Sequence, residues 1–184
     1  MNPDAYITYL ERLHDDERNG RAALAALRRG LGQPPGAAPE ASRYVQPALA
    51  ADAPAYLEDA YYLVGSLFAL HPQSVAVGNI GTHLRGIKRG DEDDAVERRF
   101  VALLSAHNDD LPDHLRQAIS LLKSKDAPVN WQQLLHDVLA WGHPDSYIQK
   151  RWARSFWRAF SPQLHIILNR FIQKSSSTNN TQGN

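Results

Sequence analysis

The chain has 184 residues, 43% of them hydrophobic, with 20 basic and 20 acidic side chains, so its formal net charge is zero. That length is enough for one hydrophobic core, or two small lobes sharing one, without covalent staples. It contains no cysteine, which excludes disulfides, thiolate catalysis and cysteine-ligated zinc or iron–sulfur centres.

The N-terminal run Met1-Asn2-Pro3-Asp4-Ala5-Tyr6 lacks a basic region followed by an apolar stretch, so no signal peptide is expected. No segment approaches the roughly 20 apolar residues that a membrane span needs. The expectation is a soluble, cytoplasmic protein with no membrane contact.

Helical spacing dominates and strand alternation is nearly absent. A first helix from Ala5 to about Arg18 places Tyr6, Leu10 and Leu13 on one face. Asn19-Gly20 interrupts it, and Ala22–Arg29 resumes with strong helix formers before Gly30. Residues 30–41 hold three prolines and three glycines and read as a loop. A short helix is expected over Arg43–Ala50. Asp52 then reads as the N-cap of a helix over Ala53–Leu70, with Pro54 in its first turn, and this apolar helix is expected to be central.

Residues 71–90 have room for at most one short helix. The acids Asp91-Glu92-Asp93-Asp94 suit the first turn of the next helix, whose buried stripe is Val96, Phe100, Leu103 and Leu104. Leu111, Leu115, Ile119 and Leu122 repeat the pattern. Asn130 reads as the cap of Trp131–Trp141, with Trp131, Leu134, Leu135 and Val138 inward, and Gly142-His143-Pro144 stops that helix. A helix over Tyr147–Phe160 follows, and Ser161-Pro162 separates it from a last helix carrying Leu164, Ile167, Leu168 and Phe171. Residues 175–184 are polar and expected to be disordered. The result is an all-α chain of about eight to ten helices without a sheet.

The zero net charge hides a segregation. Residues 146–184 carry six Lys/Arg and no Asp/Glu, whereas residues 1–145 carry 14 basic and 20 acidic side chains. At about 100° per residue, Ile148, Trp152, Phe156, Ala159 and Phe160 share one face of the helix from Tyr147. Lys150, Arg151, Arg154 and Arg158 fall opposite, a stripe suited to an anionic partner.

No motif carries catalysis. The eight histidines show no His-Glu-x-x-His spacing. The pairs His107/His114 and His136/His143 are each seven apart, but loop residues interrupt both, so surface or capping roles are expected. The 91–94 acids read as a solvated helix start rather than a cation site. No phosphate-cradling loop or nucleophile elbow is present, and Gly86–Gly90 is too generic for a nucleotide loop. Neither a metal nor a cofactor is expected.

The basic residues say more. Besides the C-terminal stripe they come as Arg28-Arg29, Arg85 with Lys88-Arg89, Arg98-Arg99, and Arg116 with Lys123, and 15 of the 20 are arginine. Arginine suits bidentate phosphate contact and stacking on bases. Each set alone could be an ordinary solvated face. Converging in space, they would form a groove that tracks a nucleic-acid backbone without reading sequence. Among the tryptophans, Trp131, Trp141 and Trp152 take apolar-face positions. Trp157, at the edge of the cationic face, is the candidate for a base or partner contact.

Five blocks carry a resemblance: Ala25-Ala26-Leu27-Arg28-Arg29-Gly30; Glu97-Arg98-Arg99-Phe100-x-x-Leu103-Leu104; His114-Leu115-Arg116; Trp131-x-x-Leu134-Leu135-x-Asp137-x-Leu139-x-Trp141; and Trp152-Ala153-Arg154-x-Phe156-Trp157. Their order and spacing over roughly residues 5–160 resemble the CasB family, the small subunit of Cascade, the RNA-guided surveillance complex of type I-E CRISPR systems. One departure is Asn130, where the family commonly has Asp; either residue caps a helix.

The resemblance implies a non-catalytic, all-helical protein with an N-terminal bundle (1–108, including the loop 30–41) and a C-terminal bundle (109–173), then the tail 174–184. It implies several partners: the guide-RNA-bearing backbone subunits and large subunit of Cascade, a second copy of the chain, the guide RNA, and target and displaced DNA. The implied role is to stabilise the R-loop in antiviral defence. Arg28, Arg29, Arg85, Arg98, Arg99, Arg116 and Arg154 lie in matching blocks and become candidates for backbone contact. Charge geometry adds Lys88, Arg89, Arg151 and Arg158. The competing readings are a helical protein–protein adaptor without nucleic-acid contact and a metal-dependent nuclease. The second would need a carboxylate and histidine cluster that the sequence does not show.

Overall fold

The computed structural model describes residues 2–88 and 94–158, with Asp94 described by its backbone alone. Arg89, the side chains of the 91–94 acids, Ala159 and Phe160, the expected last helix and the 174–184 tail lie outside the described residues.

Nine α-helices carry the described chain: α1 (Pro3–Asp15), α2 (Gly20–Arg28), α3 (Pro39–Val45), α4 (Ala55–Leu70), α5 (Ile80–Ile87), α6 (Asp94–Leu104), α7 (Leu111–Lys123), α8 (Trp131–Leu139) and α9 (Tyr147–Trp157). A 3-10 turn spans Gln46–Ala48. Among the described residues the only strand-like pairing is an isolated parallel bridge between Ser74 and Val129, so the fold is all-α, as the spacing predicts.

Asparagines start three of these helices by accepting an otherwise unpaired first-turn N–H. Asn2 accepts from Ala5 at 2.8 Å, Asn79 from Thr82 at 3.1 Å and Asn130 from Gln133 at 3.0 Å. Thr82 returns the favour by accepting the Asn79 N–H, closing a capping box on α5. Two starts differ from expectation, both because of proline. α3 begins at Pro39, inside the expected 30–41 loop, because a fixed φ and a missing N–H suit a first helical turn. α4 begins at Ala55, not Ala53. Pro54 is itself the extended cap residue, and it disfavours helical backbone at the residue before it, so Asp52 caps nothing.

α4 is central, packing against α1, α2, α3, α7 and α8. Its Tyr61 stacks on Tyr6 with ring centroids 4.7 Å apart, and its Phe68 meets Trp131 edge-on at 5.6 Å. At the C-terminal end α5 crosses α9 and α6 runs along α7. The α5–α9 crossing needs Gly81, because a Cβ there would sit 2.2 Å from the Trp152 carbonyl oxygen. Phe100 of α6 and Phe156 of α9 stack at 4.2 Å, joining this layer to a buried apolar cluster that draws on all nine helices.

Candidate nucleic-acid interface

The structure divides the candidate cations into anchors and free surface charges. Arg151, expected on the exposed stripe of α9, instead reaches Asp137 of α8 and pairs with it. Asp137 is fully buried and also accepts the indole N–H of Trp152 at 2.5 Å and the amide of Gln133 at 2.8 Å. Burial raises its carboxyl above the usual range, and these donors with the Arg151 charge oppose that rise. This cluster fixes α9 on α8.

Lys88 is a second anchor: its Nζ meets Glu97 at 2.7 Å, and its side chain is only 6% exposed. The other Glu97 oxygen accepts the Trp157 indole N–H at 2.9 Å. These two donors, Lys88 first, hold the Glu97 carboxyl below its ordinary range.

Other candidates face solvent. Arg28 donates from Nε to the Leu24 carbonyl, and Arg29 pairs with Glu40 at 3.3 Å, so this pair lies at the α2 end of the molecule. Arg85, Arg98, Arg154 and Arg158 are exposed and, among the described residues, have no carboxylate within ion-pair distance. Lys150 shares this condition.

Arg99 and Arg116 come together. α6 and α7 lie side by side, and between them opens a groove of about 510 Å³ lined by Arg99, Arg116, Gln117, Ser120 and Leu121. Four of these five side chains are hydrogen-bond donors and none is acidic. Among the described residues Arg99 otherwise bonds only the Ala95 carbonyl at 3.4 Å, and Arg116 pairs with Asp113 at 3.1 Å. An exposed pair of that kind contributes about 0–1 kcal/mol, so a phosphate can displace Asp113 from Arg116 readily.

A larger cavity of about 960 Å³ lies between the 30–36 loop, α4 and the 138–143 turn. Asp59, Asp109 and Asp113 line it with Arg116 at one edge, a balance that disfavours phosphate. Among the described residues no group of three His, Asp or Glu side chains is placed to hold a metal ion.

Gln117, Ser120, Glu97 and Asp137 escape a search for cations. Ser120 follows Arg116 by four residues, a helical signal that could have found it, whereas Gln117, one residue on, carries no such spacing. Asp137 lies three residues beyond Leu134 on the buried stripe of α8, which marks it as a carboxylate awaiting a counter-charge. Glu97 carries no such mark, since its partners come from α5 and α9. Trp131, Trp141 and Trp152 are buried, and Trp157 is 47% exposed.

The fold and surface describe an all-helical body whose arginines line a shallow groove. The family model described as CRISPR-associated protein Cse2 matches residues 23–157, and the chain belongs to that family. A CRISPR-associated protein Cse2 of Thermus thermophilus is 38% identical over 162 residues, covering 86% of this chain and 92% of its own length. The crystal structure of CasB from Thermus thermophilus superposes with a TM-score of 0.76 at 35% identity, over 85% of this chain and 98% of that one. A chain of a solved CRISPR RNA-guided surveillance complex superposes at 0.69 with 24% identity, over 94% of this chain and 97% of that one.

Proposed function

We propose that this chain is a structural, non-catalytic subunit of the type I-E surveillance complex Cascade, which grips nucleic-acid backbone without reading sequence and so stabilises the R-loop. The observation that supports this reading is the α6–α7 groove, where Arg99 and Arg116 converge beside Gln117 and Ser120 with no acid among its described lining residues. Arg98 stands exposed on the outer face of α6 next to it. Opening a duplex against a guide is a near-balanced exchange, so a few backbone contacts tip it. Guide RNA, target and displaced DNA, the other Cascade subunits and a second copy of the chain are the partners this role requires. It places the work in the cytoplasm.

The test is binding of the full chain to labelled single- and double-stranded DNA across a salt series, beside the Arg98→Ala/Arg99→Ala/Arg116→Ala variant. Affinity is expected to fall steeply with salt through counterion release, and the variant to lose a salt slope of about one per phosphate contact removed. Salt-sensitive binding untouched by the variant would overturn the groove and shift the contact to the Lys150–Arg158 stripe. No affinity at low salt would favour the adaptor reading, in which the arginines meet acidic protein surfaces.

A further inference from the structure

Trp157 closes α9 with 47% of its surface exposed, whereas Trp131, Trp141 and Trp152 are 1%, 3% and 0% exposed. It is nevertheless held fast. Its indole N–H donates to Glu97 at 2.9 Å, and its ring lies 5.3 Å from both Phe100 and Phe156, tilted 59° and 78° to them. Glu97 is itself pinned by the near-buried Lys88. These contacts among the described residues brace the ring while leaving 47% of the residue exposed.

Among the described residues, cations gather around that surface. At about 100° per residue Trp157 lies within about 60° of both Lys150 and Arg154 on α9. Both are exposed and have no carboxylate partner among the described residues. Arg85 of α5 is close enough for its charge to act on Glu97. Among the described residues the acid that touches the indole, Glu97, is already occupied by Lys88 and by the indole itself.

On α6, Glu97 and Arg99 are separated by about 160° of helix rotation, with Arg98 between them on the outer face. The arginine groove therefore lies on one flank of α6 and the indole on the other. A strand tracked by phosphate contacts from Arg116 and Arg99 over Arg98 meets Trp157 next.

We propose that Trp157 is a stacking platform for an unpaired nucleobase of a nucleic-acid strand whose phosphates are held by Arg98 on one side and by Arg154 and Lys150 on the other. This rests on the backbone-binding reading above. Every base has a π-face, so such a platform tolerates any sequence but takes only bases released from a duplex stack. It adds a preference for single strands to a groove that, by charge alone, accepts both forms.

The experiment titrates the full chain with oligo-dT, oligo-U of equal length and a DNA duplex, reading tryptophan emission and affinity together. Single strands are expected to quench emission and the duplex not to; dT against U separates a DNA from an RNA source. Trp157→Leu keeps an apolar side chain against Phe100 but cannot stack, and it is expected to abolish the quench and weaken single-strand binding about tenfold, with duplex binding unchanged. Trp157→Tyr, which restores a flat ring, is expected to recover most of the affinity. Single-strand binding that stays sensitive to Arg99→Ala/Arg116→Ala but is equal in wild type and Trp157→Leu overturns the platform and leaves the groove standing. Absence of salt-dependent binding to any of the three probes overturns both.

Discussion

Arginines on different helices do opposite jobs, and the burial of the acid each one meets decides which. Arg99 and Arg116 spend their guanidiniums on solvent and one weak surface pair. Arg151 spends its own on a buried carboxylate that has no other counter-charge among the described residues. Arg151→Ala is expected to cost about 3 kcal/mol at neutral pH, because it strands the buried Asp137 charge. Burial already raises the Asp137 carboxyl, and a group raised in the folded state favours folding below its unfolded value and opposes it above. The variant's deficit should therefore shrink as the solution is acidified, as urea unfolding at neutral and acid pH will show. Binding per folded molecule should stay close to wild type.

His83 carries the opposite sign. Its Nε2 accepts the backbone N–H of Asn130 at 3.1 Å, so it must be neutral there, and burial depresses its pKa from 6.5 to about 4. Stability from that contact is complete above 6.5 and drains away as pH falls towards 4. The ring is part-exposed, so the loss is about 2 kcal/mol, less than the full depression implies. His83→Gln, which cannot titrate, should flatten the fall of Tm with pH over that window.

At the scale of elements, the crossing of α5 and α9 sets where the cationic helix lies. It depends on Gly81, whose position leaves no room for a Cβ beside the Trp152 carbonyl. Gly81→Ala should cost about 1–3 kcal/mol by forcing the two backbones apart. Thermal denaturation measures this, and a Tm equal to wild type would show that the crossing relaxes freely. This dependence also separates what sequence shows from what it hides. Helical periodicity finds the buried stripes of α6, α7 and α8, because those stripes repeat within one helix. Local chemistry finds Asn130 as a cap, and arginine spacing finds Arg99 and Arg116 singly. That α6 lies against α7, so that two arginines 17 positions apart share a groove, comes from packing between helices, which no pattern within one helix encodes. The same holds for Arg151, an exposed stripe residue by helical angle, and for Lys88. Each was claimed by a carboxylate on another helix.

For the whole molecule, the question is whether the helices before and after residue 108 fold separately. The expected boundary runs between α6 and α7, and the described helices make contacts across it. α8 packs on α1 and α4, α7 on α4 and α6, and α9 on α5, so apolar surface from each half is covered by the other. Neither half keeps its own stripe buried alone: Phe100 would lose Phe156, and Phe68 would lose Trp131. Cooperative unfolding of all nine helices follows, because exposing one half exposes the facing surface of its neighbour.

The tryptophans make this readable, since all four lie between residues 131 and 157, whereas the far-ultraviolet signal reports helices throughout. Denaturant curves from tryptophan emission and from circular dichroism should superpose, with one midpoint and one slope. Emission changing at a lower denaturant concentration than ellipticity would show the C-terminal helices leaving first. It would also place the groove, whose walls α6 and α7 fall on either side of that boundary, on a junction that can open while the rest of the molecule stays folded.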